Sequence, residues 1–302
     1  MTYFPAFVSF AALCKQYDLI PVYRRLVSDT MTPVTAFHRL DDGGSACLFE
    51  SVIGGEKVGR YSFLAAGPYL QVLASGNRVT IMRGKDKAET TADDPLELLR
   101  EQLQQVKAAH YPELPPFAGG AVGYAGYDVV RYVENLPDAP TDDRQLPDMA
   151  FGFYDQMVVF DHVSKTIFVI ATAHIQQHRG NAQAAYEAAK MAVDSMVEKL
   201  SAPAVNELCC SDIATDGDVS IPYRANFTPA EFEAAVAKCV EYIRAGDIFQ
   251  VVISQRLELE IDCSPFEIYR SLRIVNPSPF MFFLRTPGVT LVGSSPEIMC
   301  RV

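Results

Sequence analysis

The chain has 302 residues, 49% apolar and 21% charged, enough to bury a sizeable core as one large domain or two interlocked ones. Its 26 basic and 37 acidic residues leave a net charge of −11 with no basic run, which excludes a nucleic-acid footprint but not small anionic substrates held by a few local arginines. No stretch of about 18 apolar residues occurs, MTYFPAFVSF lacks a basic start and a small-residue cleavage site, and the seven cysteines are odd in number and scattered; a reduced, cytoplasmic protein with no membrane span is expected.

The N-terminal half reads as strands. Segments 34–39, 46–52, 61–65, 69–74 and 78–83 are short, rich in β-branched or aromatic residues, and separated by Gly, Pro or charged clusters. Residues 83–94 form a polar turn region, and 95–108 reads as a helix with Leu96, Leu98, Leu99, Leu103 and Val106 roughly on one face. GGAVGYAG at 119–126 has neither the Rossmann spacing nor a Lys-Ser/Thr ending, so it is read as a glycine-rich strand permitting close packing. Segments 151–161 and 166–173 alternate as an antiparallel pair across a connection at 162–165. A long helix at 182–200 precedes a polar, Asp-, Ser- and Pro-rich stretch. The expected division is therefore 1–200, a linker at 201–226, and a second region at 227–302.

That second region opens with Thr228-Pro229-Ala230-Glu231, a capping box with proline at the first helical position, and Ser264-Pro265-Phe266-Glu267 repeats it. The first helix is expected to bury Phe232, Val236, Cys239, Val240 and Ile243 and to stop at Gly246. A strand should follow, with Val251, Ile253, Leu257, Leu259 and Ile261 on one face and Gln250, Ser254, Arg256 and Glu258 on the other. The second helix contributes Phe266, Tyr269 and Leu272 and ends at Asn276-Pro277, after which strands 280–285 and 289–294 pair across Pro287-Gly288. The fold class expected is α+β, antiparallel sheets packed face to face with helices outside. The five histidines, His38, His110, His162, His174 and His178, form no ligand or nucleophile constellation, and His174 and His178 are read as solvated on a polar loop.

GDIFQVVISQR (246–256), NPSPFMFFL (276–284) and GSSPE (293–297), in that order, resemble the chorismate-binding enzyme family. Upstream, Leu48-Phe49-Glu50-Ser51, Gly59-Arg60-Tyr61-Ser62, and Gly119–Tyr124 with Tyr127-Asp128 resemble the large subunits of its aminating, anthranilate-forming branch. The resemblance covers essentially the whole chain. Those subunits are longer, so the chain resembles roughly the first three-fifths of one.

The resemblance implies several roles. Tryptophan, an allosteric inhibitor in such enzymes, would bind between the first strand motif and the NPSP turn, at Glu50, Ser51, Pro279, Phe280 and Met281. Proline fixes φ and lacks an N–H, so Pro-Ser-Pro suits presentation of carbonyls to an ammonium, and Met281 suits an indole through sulfur–aromatic contact. Phe280 stands where the family more often has Tyr, and the plain alternative for NPSP is a helix stop and turn. Glu297 inherits a general acid/base role; alternatively it is a solvated acid at a strand end. Gln250 stands where water-activating members carry a lysine base, and a neutral amide cannot take a proton from water, which implies ammonia as nucleophile; alternatively it is a polar residue on the exposed face of an alternating strand. The implied partners are chorismate, tryptophan and a glutamine amidotransferase subunit supplying ammonia; nucleic acid and membrane are not among them. Mg2+ is the implied cofactor, with its acidic ligands, a catalytic histidine and the chorismate carboxylate contacts expected beyond Val302, so this stretch alone is expected to turn over negligibly. Two alternatives stay open: the subunit that makes aminodeoxychorismate, and a tryptophan-binding or docking module without catalysis.

Overall fold

The structure is a computed structural model that describes residues 2–27, 29–51, 59–202, 220–298 and 300. The chain divides into two units, one of Met1–Cys210 with Pro265–Val302 and one of Ser211–Ser264. This division does not coincide with the boundary read after residue 226: Pro265–Val302 joins the N-terminal residues through strand pairing, and most of the stretch read as a linker lies outside the described residues.

In chain order the strands are β1 (Leu19–Val27), β2 (Ala46–Glu50), β3 (Tyr61–Ala66), β4 (Leu70–Ser75), β5 (Arg78–Arg83), β6 (Asp86–Thr91), β7 (Gly120–Ala125), β8 (Met149–Tyr154), β9 (Gln156–Asp161) and β10 (Thr166–His174). They continue with β11 (Arg224–Ala225), β12 (Leu257–Glu258), β13 (Phe280–Thr286) and β14 (Val289–Ser295). The helices are α1 (Phe7–Leu13), α2 (Pro33–Leu40), α3 (Pro95–Gln104), α4 (Ala182–Ser201), α5 (Pro229–Ala245) and α6 (Pro265–Val275).

The first unit holds a seven-stranded sheet, order β1-β10-β9-β3-β2-β13-β14, and a five-stranded sheet, order β6-β5-β4-β8-β7. All their named pairings are antiparallel. Strand alternation sends successive residues of the larger sheet to two different cores. Cys47, Ala65 and Leu284 meet Tyr154, Phe117, Val122 and Tyr124 between the sheets. Ala46, Leu48, Leu64, Phe160, Met281 and Phe283 face the helical side, where Phe10, Phe37, Tyr186 and Tyr269 from α1, α2, α4 and α6 cover them. Phe283 sits edge-on to Phe37, Phe266 and Tyr269 at ring distances of 5.2, 5.4 and 6.2 Å, pairs worth about 0.5–1.5 kcal/mol each beyond area burial. The α+β architecture of face-to-face antiparallel sheets with helices outside is the one expected from the sequence.

Several local readings change. Segment 34–39 is helix, not strand: the Thr32 hydroxyl accepts from Thr35 N at 3.1 Å and Pro33 starts the first turn, a cap signal that outweighs the β-branched content. The turn region at 83–94 contains β6, an edge strand exposed along its length. Segment 151–161 is two strands in different sheets, because the chain crosses from one sheet to the other at Asp155. The close-packing reading of the glycine run holds at Gly123, where an added Cβ would collide with the Ala150 carbonyl oxygen and Phe151.

In the second unit, α5 carries the expected capping box, with Thr228 Oγ1 accepting from Glu231 N at 3.3 Å and Glu231 Oε2 accepting from Thr228 N at 2.8 Å. It ends at Gly246 with φ of +85°, a left-handed cap. The expected burial of its apolar face does not occur: Phe232 and Cys239 are half-buried, and Val236, Val240 and Ile243 are about 40% exposed. The long strand expected at 251–261 is reduced to β12, which pairs only with β11, Arg224 opposite Glu258 and Ala225 opposite Leu257. An alternating pattern needs a hydrogen-bonding neighbour along its length, and within this unit that two-residue ladder is what the described residues supply.

Candidate functional site

The register of the larger sheet brings the two motif segments together. β2 and β13 are antiparallel neighbours with Met281 opposite Glu50 and Phe282 opposite Phe49. Ser51 follows Glu50 at the strand end and is half-buried, while Pro279 and Phe280, also half-buried, lead into β13. Met281 is fully buried and Glu50 is 5% exposed, both on the helix-covered face.

A carboxylate that deep needs partners, since an unpaired buried charge costs several kcal/mol. α6 supplies two, one turn apart. The Tyr269 hydroxyl donates to Glu50 Oε2 at 2.6 Å; Arg273 places Nε 2.8 Å from the same oxygen and donates from Nη2 to Oε1 at 3.1 Å. Burial, then the Glu50 charge, pushes the Tyr269 phenol well above the ordinary tyrosine range, so it stays a proton donor. The NPSP segment is more than a helix stop. Ser278 is buried; its Oγ accepts from Phe280 N at 3.3 Å and donates to Met281 Sδ at 3.4 Å, while the Ser294 hydroxyl donates to the Asn276 carbonyl at 2.6 Å. The turn is thereby tied to both strands of the β13–β14 hairpin.

Two further pairs flank this centre. Ser62, opposite Glu50 on β3, shares a 2.7 Å hydrogen bond with His162 Nε2. Arg60, from the Gly59–Ser62 motif, donates from Nη2 to Asp161 Oδ2 at 2.9 Å. Burial alone would raise the Asp161 carboxyl, but the Arg60 guanidinium and the Ser164 N–H outweigh it and hold its pKa at about 2. Burial lowers the His162 pKa, only partly offset by the nearby Glu50 charge. The folded protein therefore prefers a neutral imidazole, whereas the unfolded chain takes up its proton near 6.5. This contribution to stability is complete above that value and is lost as pH falls through the folded pKa. Thermal unfolding followed between about pH 7 and 5 should show a falling Tm, and His162→Gln should flatten that slope.

Glu297 lies two residues beyond β14, exposed, with its carbonyl accepting from the Ser295 hydroxyl at 3.1 Å. Gln250 belongs to the other unit, exposed and outside any strand, so the strand face expected to present it is not formed. The structure thus gathers Glu50, Ser51, Pro279, Phe280 and Met281 on neighbouring strands; Glu297 lies two residues past Ser295, the β14 partner of Phe280, and Gln250 belongs to the other unit. Tyr269 and Arg273 escape the sequence reading. Tyr269 passes as one more apolar-face residue, although an Arg four positions on, on the same helical face, is a signal that the face meets an anion. His174, read as solvated, instead ends β10 with Nε2 2.9 Å from Asp155 Oδ2 and its ring edge-on to Tyr69.

Among the described residues no group of three or more His, Cys, Asp or Glu side chains is placed to hold a metal ion. These residues do not by themselves accommodate the magnesium implied by the resemblance. No described helix is long and apolar enough to cross a membrane.

The model of the family described as chorismate binding enzyme matches residues 44–302. The chain belongs to the chorismate binding enzyme family. Among the family's characterised relatives, it is 36% identical over 301 residues to anthranilate synthase component 1 of Acetivibrio thermocellus, covering 99% of this chain and 60% of that protein. It is 40% identical to the chloroplastic anthranilate synthase alpha subunit 1 of Oryza sativa subsp. indica, covering 94% of this chain and 52% of that one. The crystal structure of anthranilate synthase component I from Streptococcus pneumoniae TIGR4 is similar with a TM-score of 0.63 at 32% identity, covering 91% of this chain and 57% of that chain. The chain therefore spans between about half and three-fifths of the length of these relatives.

Proposed function

We propose that this chain is the regulatory and early catalytic part of an aminating chorismate enzyme that makes anthranilate for tryptophan synthesis and is inhibited by tryptophan. Membership in the chorismate binding enzyme family and the likeness to anthranilate synthase component I support the reaction class. The observation that carries the regulatory reading is the β2–β13 pairing, which sets Glu50-Ser51 beside Pro279-Phe280-Met281. In this reading Ser51 and the Pro-Ser-Pro carbonyls take the ammonium of tryptophan, and Phe280 and Met281 flank the indole. Glu50, already held by Tyr269 and Arg273, fixes the position of Ser51 instead of meeting the ligand directly.

Ammonia, delivered by a glutamine amidotransferase partner, adds to the chorismate ring and a ring hydroxyl leaves as water. Loss of the enolpyruvyl side chain as pyruvate then gives the aromatic product. Glu297 is the proton donor to the departing oxygen. Gln250, unable to deprotonate water, keeps the water-adding side reaction slow. A bound magnesium would supply charge neutralisation for the substrate carboxylate; none of the described residues is assigned to hold it.

The test is product analysis on a protein of the relatives' length carrying these residues, given chorismate, ammonium and magnesium. Equimolar anthranilate and pyruvate are expected. Aminodeoxychorismate without pyruvate release contradicts the product assignment, and isochorismate contradicts the choice of nucleophile.

A further inference from the structure

A cavity of about 280 Å³, lined by none of Glu50, Ser51, Pro279, Phe280 and Met281, lies in the first unit beside the crossing at Asp155. Its walls are Tyr69, Phe117, Phe153 and Tyr154, with Asp155 and His174 among them. The backbone of Gly119 and Gly120 also borders it, at φ of +149° and +128°. A Cβ at Gly119 would come within 3.1 Å of the Tyr154 carbonyl oxygen, so this part of the glycine run keeps the backbone close to the cavity wall. The reaction proposed above assigns no role to the glycine motif, whose first two glycines border this cavity.

The lining is chemically one-sided. The rings of Tyr69, Phe117, Phe153 and Tyr154 stand among aliphatic and small residues, and among the described residues that line it none is lysine or arginine. The acidic group is Asp155, whose Oδ2 lies 2.9 Å from His174 Nε2; the imidazole is fixed in turn by Tyr69, ring centroids 4.8 Å apart and nearly perpendicular. The Asp155 and His174 side chains are 22% and 13% exposed, so a ligand would meet the carboxylate largely out of water. An anionic ligand finds no strong cation here. A cationic one finds a carboxylate and the negative faces of several rings. Ligand sites of this kind are concave, mainly apolar, and carry a few fixed polar groups.

We propose that this cavity is a second small-molecule site, taking an aromatic ring that bears a primary ammonium, with the ring among Tyr69, Phe117 and Phe153 and the ammonium on Asp155. It is separate from the tryptophan site proposed at Ser51, and does not depend on it.

The probe is 2-phenylethylamine, with 2-phenylethanol as its neutral counterpart, titrated by calorimetry into the 302-residue chain. The amine should saturate in the millimolar range or below and bind about tenfold more tightly than the alcohol. Asp155→Asn should remove that preference while leaving the alcohol within about threefold. Val106→Trp, at a rim position 38% exposed and tolerant of substitution, should weaken both ligands. Should Asp155→Asn fail to fold for want of its His174 pairing, Val106→Trp and the amine-to-alcohol ratio still decide. Ser51→Ala should leave binding of the amine unchanged. No saturation by about 10 mM, equal binding of amine and alcohol, insensitivity to Val106→Trp, or loss of amine binding in Ser51→Ala would each overturn the proposal.

Discussion

Arg273→Ala is expected to lower the free energy of unfolding by about 2–3 kcal/mol, measured by urea denaturation. The Glu50 side chain is 4% exposed and its carboxylate has two partners from α6. Removing Arg273 leaves the carboxylate, among the described residues, with the Tyr269 hydroxyl. Breaking a buried pair by deleting one member typically costs about 3–5 kcal/mol; the retained phenol and the 28% exposure of Arg273 place this case at or below the low end. Adding Glu50→Gln to Arg273→Ala should recover part of the loss, because an amide is cheaper to bury than an unpaired carboxylate, and a double-mutant cycle isolates that coupling. Tyr269→Phe should reduce stability by about 1–2 kcal/mol by the same reasoning. If Arg273→Ala unfolds within about 0.5 kcal/mol of the parent, the pair does not anchor α6 to β2. A second consequence concerns regulation: since Glu50 precedes Ser51 and faces Met281, releasing its anchor should weaken tryptophan binding without touching the ligand.

Glu297→Gln, introduced into a protein of the relatives' length, is expected to lower kcat for anthranilate formation by about 10²–10⁴-fold, the usual contribution of a positioned general acid. Glutamine keeps the shape and removes the proton, so KM for chorismate should change little. The residue is exposed, two positions past the end of β14, so the substitution should leave the stability of the fold unchanged. A loss under tenfold in kcat, or a loss confined to KM, would reassign Glu297 to substrate binding or to the solvated surface.

The sequence was most readable where local chemistry and tertiary context agree. The Thr228 capping box, the Gly246 stop and the hairpin across Pro287-Gly288 are set by residues a few positions apart, and each forms as expected. The two motif segments could be paired as a site only through resemblance, because nothing in periodicity says that Glu50 meets Met281 across more than two hundred residues. α2 was misread since Val34, Thr35 and Phe37 favour strands, while its start is decided by two residues, Thr32 and Pro33. β1 and α1 gave too weak a signal to be named: β1 is a long mixed strand with Arg24 and Arg25 in its middle, and α1 has no side-chain cap. The apolar periodicity of α5 and of 251–261 describes faces suited to burial, and burial depends on a covering layer that no single helix specifies. Arg273 was missed for a related reason: a helix interior charge reads as solvent-facing until the strand beneath it is known to carry Glu50.

The central claim, that β2 and the proline-bracketed turn form one effector site, is most directly tested by titrating tryptophan into the chain. The chain contains no Trp, so the protein adds no indole emission, and a change in the ligand's emission relative to free tryptophan reports occupancy alongside the calorimetric heat. Saturable one-to-one binding is expected, lost in Ser51→Ala and weakened by Arg273→Ala. Absence of both heat and fluorescence change at about millimolar tryptophan, or saturation indifferent to Ser51→Ala, would contradict it.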